Sequence, residues 1–570
     1  MPAAGHFLWL PERRRASCAS YRSKPVPFLN LRPALRRLVA LFCAALMLAQ
    51  APAAVVAQSA SPNMLPSLGD SASEELSIGA ERQIGEQIMR LVRRDPEYMD
   101  DPVLLEYVQE QWQLLLDASR KLGNLGPDID TRYTFEPFLV RDPSVNAFAL
   151  PGGFIGVHLG LIAMTVDRDE LAAVLAHELS HVTQRHIARS IGVNKQASLL
   201  GIAATILGVL AASRASGADG SNAAAAAIQG GQAAAIQTQL NFSRDMEREA
   251  DRVGYSVMTQ AGYSAIGMAG MFEKLDQASR LNDSGNYPYL RSHPLTIDRI
   301  AEARSRLAID GAKPPTGNAF EHATMRARAN VLMDPRNERL LRLQGADAKA
   351  ARETADLSGA DRLGAAYASA LASTLLHDWP RADAALAKAT ALARDGAGSD
   401  ARALRTVQLL GAQSMMERND PDRAATWLAP LASDSARPVM LLRSQVAVAQ
   451  AARGAAAAPD TKEALHRNAD ALQTWVSLHR LDAPAWRQLS LTWTALDQPL
   501  RAVRADAESQ YALGDLPGAI ERLRAGQRMT RASDRPDYIE ASVIDARLRD
   551  ITAEMRAIIA EQRKNRGMGG

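Results

Sequence analysis

The stretch that most constrains this chain is Leu171 to His186, LAAVLAHELSHVTQRH, which joins a helical hydrophobic pattern to an H-E-x-x-H motif, His177-Glu178-Leu179-Ser180-His181. Leu171, Val174, Leu175, Leu179 and Val182 recur at helical spacing and predict one apolar, core-facing stripe. Asp167 ahead of them, with Glu170 three residues on, reads as a capping box. Positions i and i+4 of a helix share a face, so the imidazoles of His177 and His181 can serve one metal ion. Glu178 lies about 100° round the helix from His177, where it could reach a metal-bound water without being a ligand. Two neutral nitrogens, an open position for water and a carboxylate base beside it are what a zinc peptidase needs. The competing reading is an amphipathic helix with two exposed histidines, and a third ligand decides between them.

That ligand must come from elsewhere in the chain. The H-E-x-x-H-x-x-G-x-x-H set is excluded, because His186 falls five residues after His181 with no glycine between. On an unbroken helix His186 would sit roughly 140° from His181, as a solvated surface residue. Asn241 to Met258, NFSRDMEREADRVGYSVM, predicts a second helix with Glu247 and Asp251 on one face and Glu249 about 200° from Glu247. Alone this is a charged surface helix. Paired with the upstream motif, Glu247 becomes the candidate third zinc ligand, and Asp251 the acceptor that fixes a ligand histidine's tautomer.

The segments H-E-L-S-H and M-E-R-E-A-D-R-V-G resemble the M48 family of zinc metallopeptidases, and Ser292-His293-Pro294-Leu295 with Asp298-Arg299-Ile300 is similar to that family as well. With the C-terminal helical repeats described below, the domain order resembles periplasmic members of the family in Gram-negative bacteria. The resemblance implies a mainly α chain: an α+β zincin-type metallopeptidase domain with a small sheet, then an α-helical, tetratricopeptide-like solenoid. It also implies one zinc per chain on His177, His181 and Glu247, with Glu178 as the base. His293 would be a regulatory fourth ligand that holds a latent state. The implied substrates are misassembled outer-membrane β-barrel proteins, and the implied partner is their insertion machinery. An edge strand before the catalytic helix would pair with substrate backbone. Asn146 to Gly153 is the candidate, through Asn146, Phe148, Gly152 and Gly153, with an ordinary hairpin as the alternative.

Residues 1–57 read as a signal peptide, and hence as export to the periplasm: Arg32, Arg36 and Arg37 precede the apolar run Leu38 to Ala49, and Val55-Val56-Ala57 is a cleavage site. An uncleaved anchor is the alternative. Both cysteines, Cys18 and Cys43, fall in this leader, so the mature chain has no disulfide framework. The net charge of +3 is the leader's doing: without its eight basic residues and one acidic residue, 58 basic and 62 acidic remain, a net of −4. That excludes electrostatic support for a nucleic-acid partner.

The mature chain divides into a peptidase domain at 58–315, a linker or first repeat helix at 316–330 and repeats at 331–565. Helix is expected from Ser71 to Leu122, broken at Asp95-Pro96 and Asp101-Pro102, and strands at Tyr133–Val140, Ala147–Leu150 and Phe154–His158. His158 is expected to be a core-side histidine. Ala197 to Ala212 is uncharged and could touch membrane or a nonpolar substrate, or form a buried core helix; a Gly/Ala-rich tract follows to Ala235. In the second half Trp486, Leu489, Trp493 and Ala502 follow the tetratricopeptide order, and Ala382, Ala424 and Ala519 sit after similar turns. His322, His377, His466 and His479 are scattered there and carry no metal role. Two other functions compete with an exported zinc endopeptidase. One is a periplasmic chaperone or scaffold with a structural zinc, and the other a membrane-embedded peptidase using 197–212.

Overall fold

The computed structural model describes residues 76–193, 243–281, 289–310, 319–352, 357–395, 400–454, 459–535 and 537–567. The expected leader at 1–57 and the stretches at 197–235 lie outside the described residues. Helix α1 (Ile78–Val92) is capped by Ser77, and α2 (Pro102–Lys121) starts on its proline, with Asp101 accepting the Leu104 N–H at 2.9 Å. Between them Tyr98–Met99 forms a short strand, β1, too brief to carry a period. After α3 (Pro127–Arg132) come β2 (Glu136–Val140), β3 (Ala147–Leu150) and β4 (Phe154–His158). The sheet order is β1-β2-β4-β3, with β2 and β4 parallel in the register Glu136↔Phe154 to Val140↔His158 and β3 antiparallel to β4. β3 therefore lies at an edge. His158 is buried, its Nδ1 3.0 Å from Ser144 Oγ.

Helix α4 (Leu159–Met164) leads into α5 (Arg168–Thr183), which carries the H-E-x-x-H motif. Asp167 caps α5 by accepting the Glu170 N–H at 2.9 Å. Glu170 reaches back to the Val166 N–H at 2.8 Å, one residue earlier than a capping box would have it. α5 is buried on every side from Asp169 to Thr183, not on one stripe. It is covered by α2, β3, α7 (Arg244–Gln260) and α8 (Ile266–Leu281). α7 comes closest at Gly254, where a Cβ would lie 3.2 Å from the backbone of Ala176 and His177. Glu247, Asp251 and Gly254 share a helix face by spacing, so this approach lays both carboxylates over the histidines. Between these helices, Arg185 adopts φ +52° and ends the run, and α6 (His186–Val193) starts afresh. The short α9 (Tyr289–Ser292) comes next, and α10 (Ile297–Asp310) follows.

Beyond these, α11 (Ala319–Leu332), α12 (Asn337–Gln344) and α13 (Ala346–Arg352) lead into α14 (Gly359–Leu375) and α15 (Trp379–Asp395). The series continues with α16 (Ala401–Glu417), α17 (Pro421–Leu428), α18 (Arg437–Ala452) and α19 (Pro459–Leu478). It ends with α20 (Ala483–Ala495), α21 (Pro499–Ala512), α22 (Leu516–Ala532) and α23 (Tyr538–Gly567). The same turn recurs: His377, Asn419, Asp497 and Gly514 all have positive φ and close a helix. In each, the next N–H bonds the carbonyl five residues back, as Asp378 N–H to Ser373 O and Asp420 N–H to Met415 O. Ala382, Ala424, Ala502 and Ala519 then sit buried in the first turn of the following helix.

The expected boundary at 330/331 falls inside α11. Its Met325 and Ala329 pack with the α2 and α5 core, while Ala327 and Val331 pack with Leu363 and Tyr367 of α14. The N-terminal end of α2 is also tied by arginines to α11 and to the helices beyond it. Arg328 binds Asp101 at 2.6 and 2.7 Å, Arg437 binds Asp100 at 2.6 and 2.7 Å, and Arg405 binds Glu106 at 2.7 Å. Among the described residues no helix is long and apolar enough to cross a membrane.

Candidate metal centre

α5 brings the rings of His177 and His181 together with their Nε2 atoms 3.0 Å apart. Glu247 of α7 faces both, its oxygens 3.5 Å from His177 Nε2 and 3.4 Å from His181 Nε2. His293, just past α9, completes the group: its Nδ1 lies 3.3 Å from His177 Nε2 and 3.1 Å from Glu247 Oε1. All four side chains are buried, with one ligand atom of each within 4.8 Å of the others. Two nitrogens bound at ~2.05 Å round a tetrahedral ion stand ~3.3 Å apart. Lone-pair nitrogens converging at 3.0 Å, faced by a carboxylate, are the donor set that zinc takes, so the residues present fit that ion.

The surroundings sort the donors. Burial pulls the His177 imidazolium down, but the hydrogen bonds of Asp251 and Glu247 prevail and push it up to about 9. Asp251 Oδ1 lies 3.0 Å from His177 Nδ1, which fixes that ring's other nitrogen toward Glu247. Burial, then the neighbouring His177 charge, keeps His181 well below its usual value. Despite burial, His293 and His177 hold Glu247 well below the usual carboxylate range. Arg299 anchors both acids, at 2.9 Å from Glu247 and 2.6 Å from Asp251. Glu178 is fully buried, and burial raises its carboxyl above the ordinary value. His293 Nε2 is 3.4 Å from its Oε1.

The expected substrate strand is an edge, but its named residues face inward. The His158 N–H donates to Asn146 O at 3.1 Å, and by antiparallel alternation the Phe148 backbone also pairs with β4. Phe148's ring lies over Gly156, where a Cβ would meet it at 2.3 Å. Gly152 and Gly153, at φ 80° and 89°, form a buried turn between β3 and β4. The backbone groups of Ala147 and Ala149 therefore face away from β4, toward the outer side of β3, and the Ala149 N–H is close enough to pull the Glu178 carboxyl down.

His186 corrects a sequence expectation. It is buried, not solvated, with Nδ1 2.9 Å from His181 Nδ1 and Nε2 3.1 Å from Glu249. The left-handed residue Arg185 turns it back toward the site, which an unbroken helix would not do. Sequence spacing assigns no role to Arg299, although it stands in the Asp298-Arg299-Ile300 segment. His322 is buried between Tyr107 (2.7 Å) and Thr165 (3.2 Å), away from the group.

Residues 126–307 match the profile of a family described as Peptidase family M48, and every residue of the site lies inside that span. The beta-barrel assembly-enhancing protease of Escherichia coli (strain K12) is 34% identical over 275 residues, 48% of this chain and 52% of the relative. The protein of that name from Yersinia pestis is 32% identical over 270 residues, 47% of this chain and 51% of the relative. Metalloprotease LoiP of Escherichia coli (strain K12) is 30% identical over 179 residues, 31% of this chain and 64% of the relative. The chain spans about half the length of the β-barrel assembly-enhancing relatives it matches. Over residues 126–307, which hold every residue of the site, the chain is similar to peptidase family M48.

Proposed function

We propose that this chain is an exported zinc endopeptidase that acts in the periplasm on outer-membrane β-barrel proteins that fail to assemble. The buried Glu178 beside the His177, His181 and Glu247 group carries the reading, because a purely structural site has no use for a base. Bound there, zinc would supply Lewis-acid polarisation of a carbonyl and lower the pKa of a water. Glu178 would take a proton from the attacking water and pass it to the leaving amine. The free edge of β3 would hold the substrate backbone through Ala147 and Ala149. Asp251 would keep the His177 ring in place, and His293 would close the site in a latent state. The substrate class is supported by relatives named for β-barrel assembly. The tetratricopeptide-like repeats would dock substrate or the insertion machinery.

The fourth donor, His293, favours a second reading: a chaperone or scaffold with a closed structural zinc. Glu178→Gln decides between the two. The variant should keep about one zinc per chain and lose cleavage of an unfolded model protein. It should also retain uncleaved β-barrel protein on affinity capture. Cleavage at the wild-type rate would end the peptidase reading.

A further inference from the structure

His177 and His181 come from one helix but are supported differently. His177 Nδ1 meets the Asp251 carboxylate at 3.0 Å, and Arg299 grips that carboxylate with bonds of 2.6 and 2.8 Å. His181 instead turns Nδ1 to Nδ1 of a second imidazole, His186, at 2.9 Å. His186 Nε2 then lies 3.1 Å from Glu249 Oε2, and Arg189 Nη1 lies 2.9 Å from the same oxygen. Each ligand histidine is thus backed by a carboxylate that an arginine holds, one directly and one through an intervening ring.

The protons have one consistent arrangement. If His181 gives its Nε2 lone pair to a metal, its neutral ring keeps the proton on Nδ1. That proton needs an acceptor, so His186 Nδ1 must be bare. A neutral His186 then holds its own proton on Nε2, where Glu249 accepts it. The opposite tautomer of His186 would set two N–H groups against each other across 2.9 Å and turn a lone pair to the carboxylate.

We propose that His186 and Glu249 are positioning residues for the metal site, setting the tautomer and ring orientation of His181 as Asp251 does for His177. The proposal rests on the zinc reading given above. It gives a use to the whole acidic run Glu247-Arg248-Glu249-Ala250-Asp251. Glu247 and Asp251 lie over α5, while Glu249, on another face of α7, reaches α6. It also gives a use to the break at Arg185, since only a chain that turns there can place His186 between His181 and Glu249. Carboxylates behind ligand imidazoles raise ligand basicity, and losing one typically costs about 10–100-fold in metal affinity.

The test compares the full-length wild type with Glu249→Ala, Glu249→Gln and His186→Ala. Zinc affinity is measured by chelator competition, the ligand field by the absorption spectrum of the cobalt(II) form, and the fold by melting of the metal-free protein. Glu249→Ala and His186→Ala should bind zinc about 10–100-fold more weakly and shift the cobalt bands. Glu249→Gln, whose amide oxygen still accepts from His186, should recover most of the loss. A Glu249→Ala protein that melts lower but keeps wild-type affinity and spectrum would overturn the positioning role and leave the zinc site standing. A wild type that binds no zinc would overturn both. If His186→Ala does not fold, the Glu249 pair decides, because Glu249 is 30% exposed and its loss leaves the core intact.

Discussion

His293 stands between the metal-binding group and Glu178. Its two ring nitrogens span from Glu247 Oε1, at 3.1 Å, to Glu178 Oε1, at 3.4 Å. An imidazole held between the ligands and the base leaves the base nothing to activate. The ring is also stacked on buried Tyr289, 4.6 Å away at 24°, and its backbone N–H donates to Tyr289 O at 2.8 Å. In the proposed latch, withdrawal would break a ring stack, and a substrate or partner would have to favour the open state by at least that much. His293→Ala should keep zinc and cleave an unfolded model protein several-fold faster than wild type. An Ala variant no faster than wild type would refute the latch. A second residue governs pH response at the join with the repeats. Burial pushes the Glu321 carboxyl up to about 7, against the pull of Arg402, with Glu110 and Asp400 adding to the rise. A carboxyl raised above its unfolded value of 4.5 holds its proton more tightly in the folded state. Its contribution is present below pH ~4.5 and is lost as pH rises through about 7. Glu321→Gln should therefore be more stable than wild type at pH 8, on the order of 1–2 kcal/mol, with the difference vanishing toward pH ~4.5. Equal melting at pH 8 would contradict this.

Among the elements, α1 has the tightest constraint. A Cβ at Gly85 would lie 1.9 Å from Pro151 O, in the turn that sets β3 against β4. Gly85→Ala should destabilise by about 1–3 kcal/mol, because the backbone clash outweighs the helix gain of about 1 kcal/mol. Gly79, in the same helix with nothing within 4 Å, is the control: Gly79→Ala should be neutral or stabilising. If both variants melt alike, the packing of α1 on that turn is not what holds the edge strand. The elements differ in how much of them can be read in advance. Helices α5 and α7 follow from the spacing of their residues, and strands β3 and β4 from the short apolar runs on either side of Pro151-Gly152-Gly153. Sequence spacing also brings His177, His181, Glu247 and Asp251 to one site. Angular spacing puts His186 on the solvent side because it assumes an unbroken helix, and no feature of the Arg185 side chain announces a left-handed backbone. The strand phase is hidden for a related reason: which backbone groups of β3 face outward depends on its register with β4, a long-range property. The repeating turns were legible in Asp378-Trp379-Pro380 and Asp420-Pro421, but not which face of the array would meet α2.

At the scale of the whole molecule, the peptidase half and the repeats share a core. Leu409, Met415 and Val439 of the repeats are buried with Leu104, Trp112 and Leu175. At this joint lies a line of ion pairs around the start of α2, and one of them is a triad. Arg437 inserts between Asp100, at 2.6 and 2.7 Å, and Asp482, at 2.6 and 2.9 Å. Burial raises the Asp100 carboxyl even with Arg437 beside it. Asp482 stays below its ordinary value, because Arg437 outweighs burial and the Ala485 N–H and Trp475 indole add to it. Removing the cation strands two carboxylates in a dry joint, and breaking such a buried group costs about 3–5 kcal/mol. Arg437→Met keeps most of the stem's packing and removes only the charge, so it should lose stability of that order. The loss should shrink as pH falls toward ~5, since unpaired buried carboxylates bind protons more tightly than unfolded ones. Adding Asp100→Asn should restore part of it, because one of the two stranded charges is gone while Asp482 keeps its indole and backbone donors. Hydrogen exchange should follow the same order, fastest along α2 in the single variant. If Asp100→Asn instead adds to the damage at every pH, the joint is held by packing and the arginine is incidental to it.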